Sequence, residues 1–288
     1  MGPREHLPDS PPQLPITLVP ESQRWGLKFL AEANWLQCLE GELDTAHVSH
    51  LHSMFTDDDG TGMKTIVRED GYVDRHPRIT AIETDYGLVY GGRRTRLDGG
   101  YYWRVTQYLL PLFALIPFQT GYASGATIWM PIDDQHSWRY IVGAYRPGVP
   151  PRIPVRTEPG QFTFGDGVTI DTRLPVNRKS NSYGMSREMQ RTVNYTGMTA
   201  IPTQDQAMTE GMGYICDRSQ EHLGTSDAAI IAARRKLLRL VRDLQQGIEP
   251  YAASHPELYR VRPLDTVSAA AELGDLLEEK QAEVGTLT

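Results

Sequence analysis

The fold is decided by the run Ser226-Asp227-Ala228-Ala229-Ile230-Ile231-Ala232-Ala233-Arg234-Arg235-Lys236-Leu237-Leu238-Arg239-Leu240-Val241-Arg242-Asp243-Leu244. This run is the clearest helix in the sequence. Thr225 or Ser226 can cap its start, and Asp227 suits the positive end of the helix dipole. Basic residues follow further along, and Gly247 can end the helix. A long helix is therefore predicted in the last third of the chain.

Upstream of this helix, several segments show the alternating or β-branched pattern that is typical of strands. The joints between them carry Gly-Gly, Asp-Gly and Asp-Asp pairs, which favour turns. The predicted strands lie within residues 78–91, 101–108, 125–132 and 138–145. Strands joined by short turns indicate an antiparallel sheet.

A first helical region is predicted over about residues 21–54, before the sheet. Its apolar side chains are too dense for one amphipathic stripe, so we expect this region to be buried. Residues 56–75 are predicted to be loops, and residues 146–184 to form a long irregular segment rich in Pro, Gly, Asn and Ser. The order of helix, sheet and long helix predicts an α+β fold in which an antiparallel sheet curls around a helix.

Composition limits the classes of function. The 288-residue chain has a net charge of −7, which argues against a general nucleic-acid binder. No apolar stretch reaches the roughly 20 residues of a membrane helix, and the first residues lack the pattern of a signal peptide. We therefore expect a cytoplasmic protein with no membrane partner. Cys38 and Cys216 are too few for a disulfide framework, a Cys-rich zinc site or an iron–sulfur cluster.

Half of a metal site is suggested by Asp44-x-x-His47-x-x-x-x-His52. Two imidazoles and one carboxylate that leave open coordination positions are typical of oxygen-activating non-haem Fe(II). Asp44 and His47 would share a helix face, whereas His47 and His52 would lie about 140° apart on an ideal helix. Both histidines can reach one ion only if the helix ends or distorts between them.

The same residues also fit alternatives to an iron site. Histidines in an apolar helix are often hydrogen-bonded core residues, and zinc on a similar triad would give hydrolysis instead of oxygen chemistry. His50 competes with His52 as the partner of His47, because His47 and His50 would share a helix face. The distant carboxylate is open among Asp205, Glu210, Asp217, Glu221 and Asp227.

Two of these acids also fit ordinary helix chemistry. Asp205 would be an acid in the first turn of a helix capped by Thr203, and Asp227 would have the same part at the start of the long helix.

Several longer blocks resemble one known family. Asn34-Trp35-Leu36-Gln37 and the Asp44 to His52 motif resemble the mononuclear-iron motif of Rieske-type aromatic-ring-hydroxylating oxygenase large subunits, in particular the phthalate 4,5-dioxygenase-like subgroup. Further similar blocks are residues 102–107, 130–134, 187–192, 195–197, 201–205, 210–213 and 217–227. The resemblance covers roughly residues 1–248.

The resemblance implies a role for each residue of the motif. His47 and His52 would be the imidazole ligands of a mononuclear Fe(II), and Asp205 would be the third ligand. Asp44 would be the bridging acid, which hydrogen-bonds a ligand histidine and relays electrons from the iron–sulfur centre of a neighbouring subunit. The implied fold is a helix-grip (START/Bet v1-like) domain, in which an antiparallel sheet packs on a long C-terminal helix.

The resemblance also implies how the chain is organised. We expect a Pro-rich segment over residues 1–20 that ends a Rieske domain or linker, a mononuclear-iron catalytic domain over 21–248, and a C-terminal extension over 249–288. The family holds a [2Fe-2S] cluster on Cys-x-His and Cys-x-x-His pairs, and this sequence contains neither pair. The chain is therefore expected to be a fragment, a split-gene product or a reading frame started at an internal Met.

The implied function is hydroxylation or O-demethylation of an aromatic, carboxylated substrate with dioxygen. Electrons would come from an external Rieske centre served by a reductase or ferredoxin, and the full-length family forms homotrimers. Arg104 and Arg139 are candidate partners of a substrate carboxylate, although surface salt bridges would explain them equally well. The alternative function is a non-catalytic or remnant domain that binds a hydrophobic small molecule, with metal incidental or absent.

Overall fold

The structure, a computed structural model, describes residues 7–53, 55, 75–117, 122–145 and 173–285. The loops predicted over residues 56–75 lie almost entirely outside the described residues, and so does most of the irregular segment predicted over 146–184.

An antiparallel sheet forms the frame of the described part of the chain. Its strands are β1 Arg24–Ala31, β2 Arg78–Thr84, β3 Gly87–Thr95, β4 Tyr101–Leu109, β5 Phe113–Leu115, β6 Tyr122–Pro131, β7 Ser137–Tyr145 and β8 Leu264–Ser268. The strand order is β1-β7-β6-β5-β4-β3-β2, and β8 pairs with β4 beside β5. Every pair of neighbouring strands is antiparallel.

Helices cover the sheet on both faces. They are α1 Trp35–Leu43, α2 Arg187–Thr192, α3 Ile201–Gly211, α4 Ala228–Gln245, α5 Leu273–Glu279 and α6 Gln281–Val284. Side chains that alternate along a strand point to opposite faces, and this alternation divides the core. Leu88, Tyr90 and Tyr108 pack on one face with residues of α1 and α4, whereas Val89 and Trp103 pack on the other face with residues of α5.

The predicted long helix is α4. The predicted cap by Thr225 or Ser226 is wrong, because both residues lie in a 3-10 turn before the helix and Asp227 is the residue that precedes it. Asp227 stands directly before the helix, where its carboxylate accepts a hydrogen bond from the Gly224 backbone N–H at 2.7 Å. Gly247 follows the helix with a φ of +79°, a left-handed conformation that glycine adopts without strain. The α+β class and the packing of an antiparallel sheet on a long C-terminal helix are therefore confirmed.

The helix predicted over about residues 21–54 is wrong in its first part. Residues Arg24–Ala31 form β1, which pairs with β7, and alternate side chains such as Trp25 and Phe29 are buried. The dense apolar pattern that suggests a buried helix is therefore that of a strand at the end of the sheet. Among the described residues between β1 and β2, only α1 and a single 3-10 turn at His47–Ser49 are helical.

Other strand boundaries also differ from the prediction. The segment predicted over 78–91 contains two strands, β2 and β3, joined at Asp85 and Tyr86. The short strand β8 is not predicted by the sequence pattern. Residues beyond 248 contribute β8 to the same sheet, and the domain boundaries at residues 20 and 248 stay a prediction.

None of the helices in the described residues is both long enough and apolar enough to cross a lipid bilayer.

The core between α1 and the sheet can be tested by cavity formation. We expect Leu39→Ala to lower the free energy of unfolding by about 2–5 kcal/mol, because Leu39 is fully buried in this core and its loss leaves a void. Leu238→Ala, at a side chain that is 57% exposed, is the control and should change stability by less than about 0.5 kcal/mol. Urea denaturation followed by circular dichroism measures both values. Equal losses in the two variants would contradict this packing.

Candidate metal centre

The end of α1 sets the position of the first two predicted site residues. Asn34 begins the helix by accepting a hydrogen bond from the Leu36 backbone N–H at 3.0 Å. Asp44 ends it with an extended backbone, and its Oδ1 accepts a hydrogen bond from the Ala46 N–H at 2.7 Å. The chain then forms the 3-10 turn at His47–Ser49. The helix therefore ends before His47, which removes the angular separation that an ideal helix would impose on His47 and His52.

A buried arginine holds the turn that carries His47. Arg94 on β3 is 1% exposed, and its Nη2 donates to the Thr45 carbonyl oxygen at 2.8 Å and to the Ser49 hydroxyl oxygen at 3.0 Å. These charge-assisted hydrogen bonds fix the backbone on both sides of His47. The sequence does not single out Arg94, because nothing in its local pattern distinguishes it from a surface arginine.

A buried glutamine holds α3 against α1. The Gln37 Nε2 donates to the Thr209 and Gly213 carbonyl oxygens at 3.0 and 2.8 Å, and its Oε1 accepts from the Cys216 N–H at 2.8 Å. Gln37 is 1% exposed, so these bonds form away from solvent. They hold the C-terminal end of α3 against α1 and so fix the helix that carries Asp205 toward the two histidines.

The structure brings His47, His52 and Asp205 together. His47 Nε2 lies 3.2 Å from His52 Nε2, and Asp205 Oδ1 lies 3.5 Å from His47 Nε2 and 3.1 Å from His52 Nε2. About 3 Å separates neighbouring ligand atoms that each lie about 2.1 Å from one ion. Two imidazole nitrogens and a carboxylate oxygen at these separations could therefore bind one divalent transition metal ion. They would occupy one side of the ion and leave its other side open to non-protein ligands.

Each histidine has an acceptor at its second ring nitrogen. Asp44 Oδ2 lies 3.3 Å from His47 Nδ1, and Gln204 Oε1 lies 2.7 Å from His52 Nδ1. An acceptor at Nδ1 places the proton there and leaves the Nε2 lone pair free. Both Nε2 atoms face the point that the three ligand atoms share.

The electrostatics of the site follow from burial and close opposite charges. Burial by itself lowers the pKa of His47, but the hydrogen bond to Asp44 and the charges of Asp205 and Asp44 outweigh burial and raise it. Burial by itself raises the pKa of Asp205, but the hydrogen bond with His52 and the charges of both histidines and Arg139 bring it below its ordinary range.

A buried ion pair lies beside the triad. Glu42 on α1 accepts a hydrogen bond from Arg139 Nη2 on β7 at 2.7 Å, and their side chains are 8% and 11% exposed. Burial raises the pKa of Glu42, and the Arg139 charge opposes that effect. Arg139, a candidate for carboxylate recognition, is therefore engaged within the protein.

Arg104, the other candidate, has a different environment. It lies on β4 directly opposite Gly92 of β3, is 7% exposed, and makes no side-chain hydrogen bond or ion pair among the described residues. A Cβ atom on Gly92 would meet Thr45, which shows that this face of the sheet lies against the segment that follows α1. The Arg104 charge is close enough to His47 to lower its pKa slightly.

The competing candidates lie elsewhere in the described structure. His50 is exposed, with its ring 5.3 Å from that of His76. Glu210 is buried and accepts hydrogen bonds from the Glu32 N–H at 3.0 Å and the Tyr183 hydroxyl at 2.8 Å. Neither belongs to the cluster of His47, His52 and Asp205.

The remaining carboxylates have structural partners. Asp217 accepts a hydrogen bond from the Ser219 N–H at 3.0 Å, and Glu221 pairs with Arg218 and Arg234 at 2.8 and 2.6 Å. Asp227 is engaged at the start of α4 by the Gly224 N–H.

The predicted Thr203 cap is wrong. Helix α3 begins at Ile201 with Pro202 in its first turn, and Ala200 is the residue before it. Asp205 consequently lies beyond the first turn of α3, half-buried, where it faces the two histidines, so its prediction as a first-turn acid is also wrong.

Comparisons with known proteins agree on one family. The family model described as "LigXa C-terminal domain like" matches residues 1–268. The phthalate 4,5-dioxygenase oxygenase subunit of Pseudomonas putida is 33% identical over 86% of this chain and 57% of its own length. The 3-chlorobenzoate-3,4-dioxygenase oxygenase subunit of Comamonas testosteroni is 29% identical over 84% of this chain and 58% of its own length. The chain thus spans little more than half the length of these relatives.

A third relative and two solved structures complete the comparison. The 5,5'-dehydrodivanillate O-demethylase oxygenase subunit of Sphingobium sp. (strain NBRC 103272 / SYK-6) is 26% identical over 88% of this chain and 52% of its own length. A dicamba monooxygenase bound to dicamba is 10% identical, with a TM-score of 0.43 over 80% of this chain and 64% of that chain. A carbazole-bound oxygenase and ferredoxin complex of carbazole 1,9a-dioxygenase is 16% identical, with a TM-score of 0.41 over 85% and 62%.

The contact between Asp44 and His47 predicts a change in ionisation. In the metal-free protein we expect the pKa of His47 to lie above its ordinary 6.5, and Asp44→Asn to lower it because the variant removes a negative charge and a strong acceptor. Histidine proton chemical shifts followed by NMR against pH measure both values, with the exposed Asp98→Asn as control.

The same contact fixes the sign of the pH dependence of stability. Because the pKa of His47 is raised on folding, its contribution to stability is complete below pH 6.5 and is lost as the pH rises through the folded-state value. An unchanged His47 pKa in Asp44→Asn would contradict the contact.

Proposed function

The chain belongs to the LigXa C-terminal-domain-like family of Rieske oxygenase catalytic domains, and we propose that it is the catalytic portion of a non-haem iron oxygenase. The reaction would be hydroxylation or O-demethylation of a carboxylated aromatic compound with dioxygen. The observation that carries the proposal is the convergence of His47, His52 and Asp205, whose ligand atoms lie 3.1–3.5 Å from one another.

The donor set suits ferrous iron. Two neutral imidazoles and one carboxylate, with an open side, match the arrangement that non-haem Fe(II) oxygenases use. When bound, ferrous iron supplies the redox chemistry that activation of dioxygen requires. The protein's part is to hold the two Nε2 atoms and the Asp205 Oδ1 in place and to keep the proton of each imidazole on Nδ1.

Asp44 would have two roles in this oxygenase. Its Oδ2 accepts from His47 Nδ1 and so orients a ligand ring. It would also lie on the path by which electrons arrive from an external Rieske centre, itself served by a reductase or ferredoxin. Its side chain is 26% exposed, which supports this role because an electron path from a partner must begin at the surface.

Arg104 is the residue that we propose binds the substrate carboxylate. Its guanidinium is buried on the face of the sheet nearest to Thr45 and has no carboxylate partner among the described residues. Burial of an unpaired charge is costly, so an anionic ligand would relieve that cost and form two parallel hydrogen bonds. Two relatives are named after aromatic carboxylates, phthalate 4,5-dioxygenase and 3-chlorobenzoate-3,4-dioxygenase. Their names support an anionic ligand for Arg104.

The metal assignment is tested by iron loading and turnover. Under anaerobic loading we expect about one iron per chain in the wild type and little in His47→Ala, His52→Ala or Asp205→Ala, because each variant removes a ligand. His50→Ala is the matched control, since His50 is in the same segment but exposed, and it should bind iron as the wild type does. Elemental analysis after gel filtration gives the iron content.

The loaded proteins are then given hydrogen peroxide and phthalate or 3-chlorobenzoate. Peroxide supplies the oxygen atom and the oxidising equivalents together, leaving water, so no electron donor is needed. We expect a hydroxylated product from the wild type and His50→Ala only. Equal iron in all variants would overturn the metal site, whereas specific iron binding without any product would favour the alternative of a non-catalytic small-molecule-binding domain.

Carboxylate recognition is tested with Arg104→Gln. We expect this variant to bind phthalate about tenfold or more weakly, because hydrogen bonds to charged groups contribute about 1.5–3 kcal/mol. Binding of the neutral dimethyl ester should change much less. Arg239→Gln, at an exposed arginine that pairs with Glu83, is the control. Calorimetric titration measures the affinities, and an equal loss for acid and ester would show that Arg104 does not bind the carboxylate.

A further inference from the structure

We propose that Gln204 is a positioning residue that fixes the proton and the orientation of His52 and thereby sets the metal affinity of the triad. This inference rests on the proposed metal function. The sequence places Gln204 directly before Asp205, yet nothing in the pattern distinguishes it from an ordinary polar residue of α3.

The contact is short and buried. Gln204 Oε1 lies 2.7 Å from His52 Nδ1, and the two residues are 3% and 7% exposed. Water is therefore a poor competitor for either group, and the hydrogen bond favours the proton on Nδ1 of His52.

The orientation of the Gln204 amide is determined by its second partner. Gln204 Nε2 donates to the Met198 carbonyl oxygen at 3.0 Å. A carbonyl oxygen only accepts, so the NH₂ group must face Met198 and the amide oxygen must face His52. An amide oxygen likewise only accepts, so it favours the proton of neutral His52 on Nδ1 and the lone pair on Nε2. The order of donors and acceptors from Met198 to His52 thus places an acceptor at Nδ1. In the metal-free protein Asp205 Oδ1, 3.1 Å from Nε2, competes for the proton, and the bond to Gln204 favours the Nδ1–H form that leaves Nε2 to an ion.

The Met198 carbonyl belongs to a turn that is itself fixed. Asn194 Nδ2 donates to the same oxygen at 3.0 Å, and Asn194 Oδ1 accepts from the Gly197 N–H at 2.7 Å. Asn194 is 2% exposed. Gly197 has a φ of +68°, and a Cβ there would lie 2.3 Å from the Ser186 carbonyl oxygen. The turn thus fixes the Met198 carbonyl oxygen that binds the Gln204 amide, which limits rotation of the Gln204 side chain.

The chemistry of an amide suits this position better than that of a carboxylate. Asp205 already places one negative charge beside His52, and Gln204 is more deeply buried than Asp44, the acceptor for His47. A second carboxylate here would have to be desolvated next to the first. An amide accepts the Nδ1 proton without adding charge.

The test compares Gln204→Met with Gln206→Met in the full chain. Methionine has a similar length to glutamine but cannot accept the imidazole proton. Gln206, also on α3, donates to Glu210 at 2.7 Å and contacts no histidine among the described residues, so it is the matched control. Titration with Fe(II) under anaerobic conditions, and with Co(II) followed by visible absorption, measures metal affinity. We expect a loss of about 10–100-fold in Gln204→Met and none in Gln206→Met.

A second readout does not depend on metal. Nitrogen-15 NMR of the metal-free protein, at a pH where histidines are neutral, reports the tautomer of His52. We expect a larger fraction of the Nδ1–H form in the wild type and Gln206→Met than in Gln204→Met, because that variant leaves Asp205, at Nε2, as the acceptor nearest to the ring among the described residues. Gln204→Glu keeps an acceptor at Nδ1 and should restore the Nδ1–H form. If Gln204→Met does not fold, Gln204→Asn, which draws the amide oxygen back from the ring, takes its place.

The outcomes separate this inference from the function on which it rests. Equal metal affinity and an unchanged His52 tautomer in Gln204→Met would overturn the role of Gln204 and leave the metal site intact. A wild type that binds no metal would overturn the proposed function. The tautomer of His52 would then still test whether Gln204 fixes its proton, and an Nδ1–H fraction no larger in the wild type than in Gln204→Met would overturn that role too.

Discussion

The packing of α3 against α1 is the constraint on which the site depends, because the triad is shared between segments far apart in the chain. Gln37 satisfies two carbonyl oxygens and one N–H at the C-terminal end of α3, all in a buried position. Glu210 adds a bond to the Glu32 N–H and another to Tyr183. A buried polar group that lost these partners would cost about 1–3 kcal/mol, so α3 has one favourable position. Asp205 reaches the histidines as a consequence of that position.

The second constraint is that the two imidazole rings of the candidate site are already oriented by protein contacts. Arg94 fixes the turn around His47, and Asp44 and Gln204 hold the far nitrogens of the two rings. Preorganised ligands avoid the entropic cost of ordering side chains on binding. The orientation of the two rings depends on backbone turns and buried hydrogen bonds. Loss of these bonds would destabilise the fold and disorder the site at the same time.

Much of the architecture follows from local sequence signals, and the parts that do not have physical reasons. Helix α4 carries its own start and stop signals, and strands β4, β6 and β7 have alternation bounded by turns. The apolar residues of β1 are followed closely by those of α1, so the period-two alternation of β1 is hidden within a dense apolar run. Strand β8 is too short to show a pattern and is held by its register with β4.

The residues of the candidate site likewise differ in whether the local sequence or only tertiary contacts reveal them. The spacing of His47 and His52 is a local signal and suggests a metal site. The pattern of residues leaves five acids as the third ligand, and only the family resemblance selects Asp205 among them. Gln204 and Arg94 act through tertiary contacts, which no local pattern encodes.

The charges around the triad connect the metal site to the proposed substrate. Glu42 and Arg139 form a pair and largely cancel. Asp44 and Asp205, set against Arg104, leave one net negative charge beside neutral imidazoles, which favours binding of a divalent cation. Once such an ion is bound, the same group of residues carries a net positive charge. An anionic aromatic acid would be attracted more strongly in the metal-bound state than in the metal-free state. Ion and substrate would therefore bind cooperatively, and Arg104 would align the substrate.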